Sequence, residues 1–185
     1  MSLLCNAQTS QLVVIDIQER LASAMPDKAL KRVMNNTAVL LQAANLLDVA
    51  VIRTEQYPKG LGETRSEVSQ HLDNKTTTIE KTCFACTGSS DFTNRLSKQR
   101  RPQIILTGIE SHVCVLQTAL ELHEQGFQVY VVEDAICSRN KHRHKNAIAR
   151  MRQAGVIVTN TESVVFEWLR DAEHEHFKTI AKLIK

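Results

Sequence analysis

The feature that most constrains this chain is a repeated alternation between short aliphatic runs and longer segments with helical spacing. Leu12-Val13-Val14-Ile15 has no polar residue to turn toward water, which is the pattern of a strand buried on both faces. Residues 49–52, 76–79, 103–106, 128–132 and 156–158 read as five further strands. Residues 28–47 place Leu30, Val33, Met34, Val39, Leu40, Leu41 and Leu46 at mostly helical intervals, and 112–124, 141–153 and 163–170 continue that theme. Gly126 and Gly155 stand just after helical stretches and just before strands, where a left-handed cap is wanted. Strand, helix, strand in repetition calls for right-handed crossovers. The expected fold is therefore α/β: a three-layer, doubly wound, mostly parallel sheet of about six strands with helices on both faces.

A length of 185 residues fits one domain, taken as 1–185. With 43% apolar and 23% charged residues the chain can bury a core, which excludes a disordered segment. Five Phe, two Tyr and one Trp leave that core to Val, Ile, Leu and Ala. A net charge of +3 is too mild to argue for nucleic acid or an anionic membrane. Asp16 interrupts the longest apolar run near the start, no run approaches a membrane span, and the first ten residues contain no apolar signal core. Five sparse cysteines, an odd number, read as free thiols in a reducing compartment, so the expected location is cytoplasmic.

In such sheets ligands bind beyond the carboxyl ends of the strands, so the residues there carry the functional argument. The first strand ends in Asp16, the second in Arg53-Thr54-Glu55, the third in Glu80-Lys81, and the fourth in Thr107-Gly108, a turn that leads to Cys114. Cys114 has two readings. It is a small buried hydrophobe, or it is a thiolate favoured by a helix start and a nearby cation. A helix terminus contributes about 0.3–1 kcal/mol, whereas a lysine about 4 Å away contributes about 4 kcal/mol at an effective dielectric near 20. On those magnitudes Lys81 is expected to be the principal stabiliser of a Cys114 thiolate. Asp16 also has two readings, as a helix cap or partner of Arg20, and as the group that moves a proton to and from the thiol.

Asp16 within Leu-Val-Val-Ile-Asp-Ile-Gln, Lys81 within Ile-Glu-Lys-Thr-Cys-Phe, and Cys114 within Gly-Ile-Glu-Ser-His-Val-Cys-Val resemble the isochorismatase-like cysteine hydrolases. The resemblance extends through Asp134-Ala135-Ile136-Cys137-Ser138-Arg139 and the Thr161-Glu162-Ser163 stretch, from about residue 11 to 169. It implies a catalytic triad of Asp16, Lys81 and Cys114. It also implies a non-proline cis peptide after Gly108-Ile109, turning the backbone amides of Glu110 and Cys114 into an oxyanion hole. Nicotinamidases of this superfamily carry an Asp-x-His…His metal motif after the second strand, but here 54–62 reads TEQYPKGLG, without histidine. No metal and no cofactor are therefore expected. Isochorismatases that cleave a vinyl ether often have no Cys at the nucleophile position, so isochorismate is a doubtful substrate. The likeness is to a compact branch with a Glu-Gln-Tyr-Pro-Lys-Gly-Leu-Gly loop, and the expected substrate is a small amide or related carbonyl compound. Gln18, Tyr57, Phe84, Ile109 and His112 are candidates for the pocket wall.

Other features take blander readings. Cys83-Phe84-Ala85-Cys86 is a lone Cys-x-x-Cys, without the second pair a zinc site needs and without thioredoxin-like flanks. The basic run 139–145 is a solvated helix start, a face between subunits, or an anion site. The terminal stripe of Phe177, Ile180, Ala181 and Ile184 docks on its own domain or on another copy. A homo-oligomer is expected, with no nucleic acid or membrane partner. The competing functions are a redox or ligand-binding module on the same architecture, and a catalytically retired oligomeric scaffold. No glycine-rich phosphate loop follows the first strand, which counts against a nucleotide.

Overall fold

A computed structural model describes residues 3–184. The elements run β1 (Ser10–Ile15), α1 (Glu19–Ala22), α2 (Asp27–Leu46), β2 (Ala50–Gln56), α3 (Pro58–Leu61), α4 (Ser66–Ser69) and β3 (Thr77–Lys81). They continue with α5 (Ser90–Gln99), β4 (Gln103–Ile109), α6 (Leu116–Glu124), β5 (Gln128–Cys137), α7 (Lys141–Gln153), β6 (Ile157–Thr159), α8 (Thr161–Leu169) and α9 (Phe177–Leu183). All six strands pair in parallel, in the order β3-β2-β1-β4-β5-β6.

Alternation along β1 divides the core. Leu12 and Val14 pack with Leu40 and Leu41 of α2, Trp168 of α8 and Ile180 of α9. Val13 and Ile15 face the other layer, with Phe92 and Leu96 of α5, Ala119 and Leu122 of α6, and Met151 of α7. Each large aliphatic side chain buried this way contributes about 1.5–3 kcal/mol, so the central strand anchors both layers. The terminal stripe docks on its own domain: Ile180 is fully buried, and Phe177 and Ile184 pack against the same cluster.

Helix α5 and strand β5 are among the elements that differ from the sequence reading. Helix α5 has only Phe92 and Leu96 buried among polar neighbours, an i, i+4 pair too sparse to read as periodicity. Strand β5 continues through Glu133-Asp134 to Cys137. Its register against β4 shifts there, from Leu106 opposite Val131 to Gly108 opposite Ile136, so charged residues occupy an irregularity rather than ending the strand.

The chain crosses from β1 outward to β2 and β3, then returns to place β4 on the other side of β1. That reversal opens a crevice at the carboxyl ends of β1 and β4. Gly108 lies opposite Ile15 in this pairing, with φ +120°. A Cβ there would stand 2.0 Å from the Ile15 carbonyl oxygen, so only glycine lets the strands approach.

Candidate active site

Asp16 follows β1 in a left-handed conformation, φ 51°, which Asp tolerates better than most residues. Its amide donates to the Thr54 carbonyl at 3.2 Å, tying the turn to β2. Its carboxylate is fully buried and receives two strong donors: Thr54 Oγ1 at 2.7 Å on Oδ1, and Lys81 Nζ at 2.7 Å on Oδ2. A buried carboxylate needs such partners.

Lys81 ends β3 directly opposite Gln56, the last residue of β2. Its ammonium donates to Gln56 Oε1 at 2.7 Å and to the carbonyl oxygens of Cys83 and Phe84, each at 3.2 Å. Burial alone would lower the Lys81 pKa. The Asp16 carboxylate, by its charge and its hydrogen bond, outweighs it and leaves the lysine above its ordinary value. Gln56 is held in turn by Gln18, whose amide accepts from the Gln56 backbone N–H at 2.7 Å and donates to the carbonyls of Gln56 and Gly62.

Cys114 lies in a single π-helical turn, Ser111–Val115, that leads into α6, and is 6% exposed. Its thiol is held well above the usual range, first by burial and then by the Asp16 carboxylate, which acts by charge and as a hydrogen-bond acceptor. Lys81 acts in the opposite direction and does not prevail. Lys81 is thus the cation that favours a Cys114 thiolate, set against burial and Asp16. The four hydrogen-bond acceptors of the Lys81 ammonium are oxygens, so it reaches the sulfur only through its charge, while burial favours the neutral thiol.

The peptide between Ile109 and Glu110 is cis. Ile109 is fully buried, and the Glu110 side chain is nearly so. Tyr57 and Phe84 are more than half exposed. His112 shares a hydrogen bond with Ser138 Oγ at 2.9 Å. Gln18 is fully buried with its amide engaged by backbone, so it braces the β2 end and presents no free group to a pocket. Gln56 escaped sequence reasoning, and Thr54 was named only as a strand-end residue, without a role. Their signal was available in the strand-end position of each, with Gln56 in register with Lys81.

All five cysteines are unpaired. Cys86 is fully buried, and its thiol is pushed up to about 12 by burial and then by Asp16, whereas Cys83 is half-buried. Among the described residues no group of three His, Cys, Asp or Glu side chains is arranged to hold a metal ion, and no helix is long and apolar enough to cross a membrane.

A profile of the isochorismatase domain matches residues 10–163. Isochorismatase family protein 1B of Dictyostelium discoideum is 38% identical over 183 residues, covering 96% of this chain and 87% of that protein. The MAR1 ribonuclease of Caenorhabditis elegans superposes with a TM-score of 0.91 at 36% identity, over 98% of this chain and 92% of that one. The YcaC gene product of Escherichia coli, described as an octameric hydrolase of unknown specificity, superposes with a TM-score of 0.92 at 25% identity, over 100% and 90%. The chain belongs to the isochorismatase family and carries that family's hydrolase fold.

Proposed function

We propose that the chain is a metal-independent hydrolase that cleaves a small amide or related carbonyl compound through a Cys114 thioester. One observation carries this reading: the buried Cys114 thiol lies beside the Asp16 carboxylate, which raises its pKa by charge and hydrogen bonding and which Thr54 and Lys81 hold in place. A carboxylate fixed beside a thiol is equipped to take its proton at the moment of attack.

In the first half-reaction Asp16 accepts the thiol proton as sulfur bonds to the carbonyl carbon. The negative charge passes to the carbonyl oxygen, where the backbone amides of Glu110 and Cys114 receive it. The carbon–nitrogen bond breaks, and the amine leaves with the proton from Asp16. In the second half-reaction Asp16 takes a proton from water as the water oxygen attacks the thioester. The carbon–sulfur bond breaks, the proton returns to sulfur, and a carboxylic acid is released. Throughout, Lys81 keeps the Asp16 carboxylate oriented and offsets the negative charge as it moves to sulfur.

Ile109, His112, Tyr57 and Phe84 are the proposed walls of the substrate pocket, and Gln18 supports it from behind. The reading needs no metal or cofactor, in keeping with a 54–62 stretch that offers no imidazole. Assembly with further copies is part of the proposal, supported by the octameric description of the E. coli neighbour. A cytoplasmic setting suits five unpaired cysteines.

The test is turnover on a panel of small amides and activated esters, comparing the wild type with Cys114→Ala. Carbonyl hydrolysis that vanishes in Cys114→Ala supports the reading, and turnover near the wild-type rate in that variant overturns it. Because the C. elegans neighbour is named a ribonuclease, an RNA oligonucleotide belongs in the panel, with no cleavage expected.

A further inference from the structure

Three consecutive residues at the entrance to the nucleophile turn are each tied by the side chain to the β5–α7 junction or the first turn of α7. Glu110 Oε2 accepts from Arg139 Nε at 2.9 Å and from the Arg139 backbone N–H at 3.3 Å. Ser111 Oγ and His144 Nδ1 share a hydrogen bond at 3.0 Å, and His112 Nδ1 and Ser138 Oγ share one at 2.9 Å. The turn is thus fastened at every residue between the cis peptide and Val113.

The ion pair is lopsided. The Glu110 side chain is 9% exposed, whereas that of Arg139 is 50% exposed. An arginine so open to water adds little net stability, because solvent screens the pair and a long side chain loses freedom when held. Orientation is a different matter. Glu110 carries one of the two amides assigned to the oxyanion, and its side chain is gripped from one direction by both the guanidinium and the backbone of Arg139. A donor aimed at developing charge works only when fixed beforehand.

We propose that Arg139 is a positioning residue: acting through the Glu110 carboxylate, it fixes the direction of the Glu110 backbone amide. Ser138 and His144 hold the two following residues of the turn to the same end. This inference rests on the hydrolase reading above, since it assigns a task to an oxyanion donor of that reaction.

The experiment uses two probes on the full chain. p-Nitrophenyl acetate acylates through a tetrahedral oxyanion, whereas iodoacetamide alkylates by displacement at carbon and forms none. The readouts are the Cys114-dependent burst rate, taken against Cys114→Ala, and the alkylation rate of Cys114. Arg139→Met is expected to slow the burst about tenfold or more while alkylation stays within about twofold, because only the burst draws on the oxyanion donors. Arg139→Lys, which keeps the charge and loses the fork, is expected to fall between Met and wild type. A general distortion of the turn would slow both reactions together, and that result overturns the proposal, as does an unchanged burst. Should Arg139→Met not fold, Arg139→Lys decides: a selectively slowed burst supports the proposal and a wild-type burst overturns it. A wild-type protein with no Cys114-dependent burst overturns the hydrolase reading and this inference with it, whereas an intact burst insensitive to Arg139 overturns this inference alone.

Discussion

Lys81 Nζ stands 2.7 Å from Asp16 Oδ2, with both side chains wholly removed from solvent. Neither charge is tolerable there alone, so the pair is a structural necessity as well as the centre of the proposed chemistry. Removing one partner strands the other, at a cost of about 3–5 kcal/mol. Lys81→Met is therefore expected to lower the unfolding free energy by that order, and the double variant Asp16→Asn with Lys81→Met to regain part of it. The sign of the pH dependence follows from the raised lysine pKa. A raised folded-state pKa contributes stability that is fully present below lysine's ordinary 10.5 and is lost as pH rises through the folded value. Urea unfolding across alkaline pH should show the wild type losing this increment while Lys81→Met does not. Parallel slopes for the two proteins would contradict the assignment.

Asp16 and Lys81 act on the Cys114 thiol in opposite directions, which gives a second prediction. Asp16→Asn should move the midpoint of pH-dependent iodoacetamide alkylation downward, and Lys81→Met should move it upward. Amide or ester turnover should nevertheless fall in both: in Asp16→Asn a more acidic thiol does not replace the lost base, and in Lys81→Met the base loses its orienting partner while the thiol becomes less acidic. Cys83 is the more open thiol, so alkylation is best followed in a Cys83→Ser background. Midpoints that shift in the same direction for both variants would contradict this account of the thiol.

Gly108→Ala should prevent β4 from seating against β1. The new methyl would meet the Ile15 carbonyl at 2.0 Å, and the backbone φ of +120° is one that only glycine adopts readily. A loss of more than about 4 kcal/mol, or no folded protein, is the expected result. Thermal unfolding checks it, and a transition close to that of the wild type would contradict the close approach.

Much of this arrangement was legible in the sequence, and what was not has physical reasons. Five of the six strands announce themselves through apolar runs such as Leu12-Val13-Val14-Ile15 and the third through the β-branched Thr76-Thr77-Thr78-Ile79, and strand-end logic alone sets Asp16 and Lys81 on one rim. The roles of Gln56 and Thr54 are not legible in the sequence because they are a matter of register: a polar residue becomes a partner only when the adjacent strand sets it beside Lys81 or Asp16. The Glu110–Arg139 pair was hidden for a related reason. Glu133-Asp134 looked like the end of β5, yet the strand continues to Cys137 and delivers Ser138 and Arg139 to the turn. The raised pKa of the Cys114 thiol is not legible in spacing, since it depends on how deeply the sulfur is buried and on the charge it faces.

The central claim is that Cys114 forms the covalent intermediate, and intact-protein mass spectrometry after rapid acid quench tests it most directly. During the p-nitrophenyl acetate burst, the account predicts a gain of one acetyl group per chain, mapped by peptide digestion to Cys114 and absent from Cys114→Ala. An acetyl group carried by another residue during the burst, or the same gain in Cys114→Ala, would contradict it.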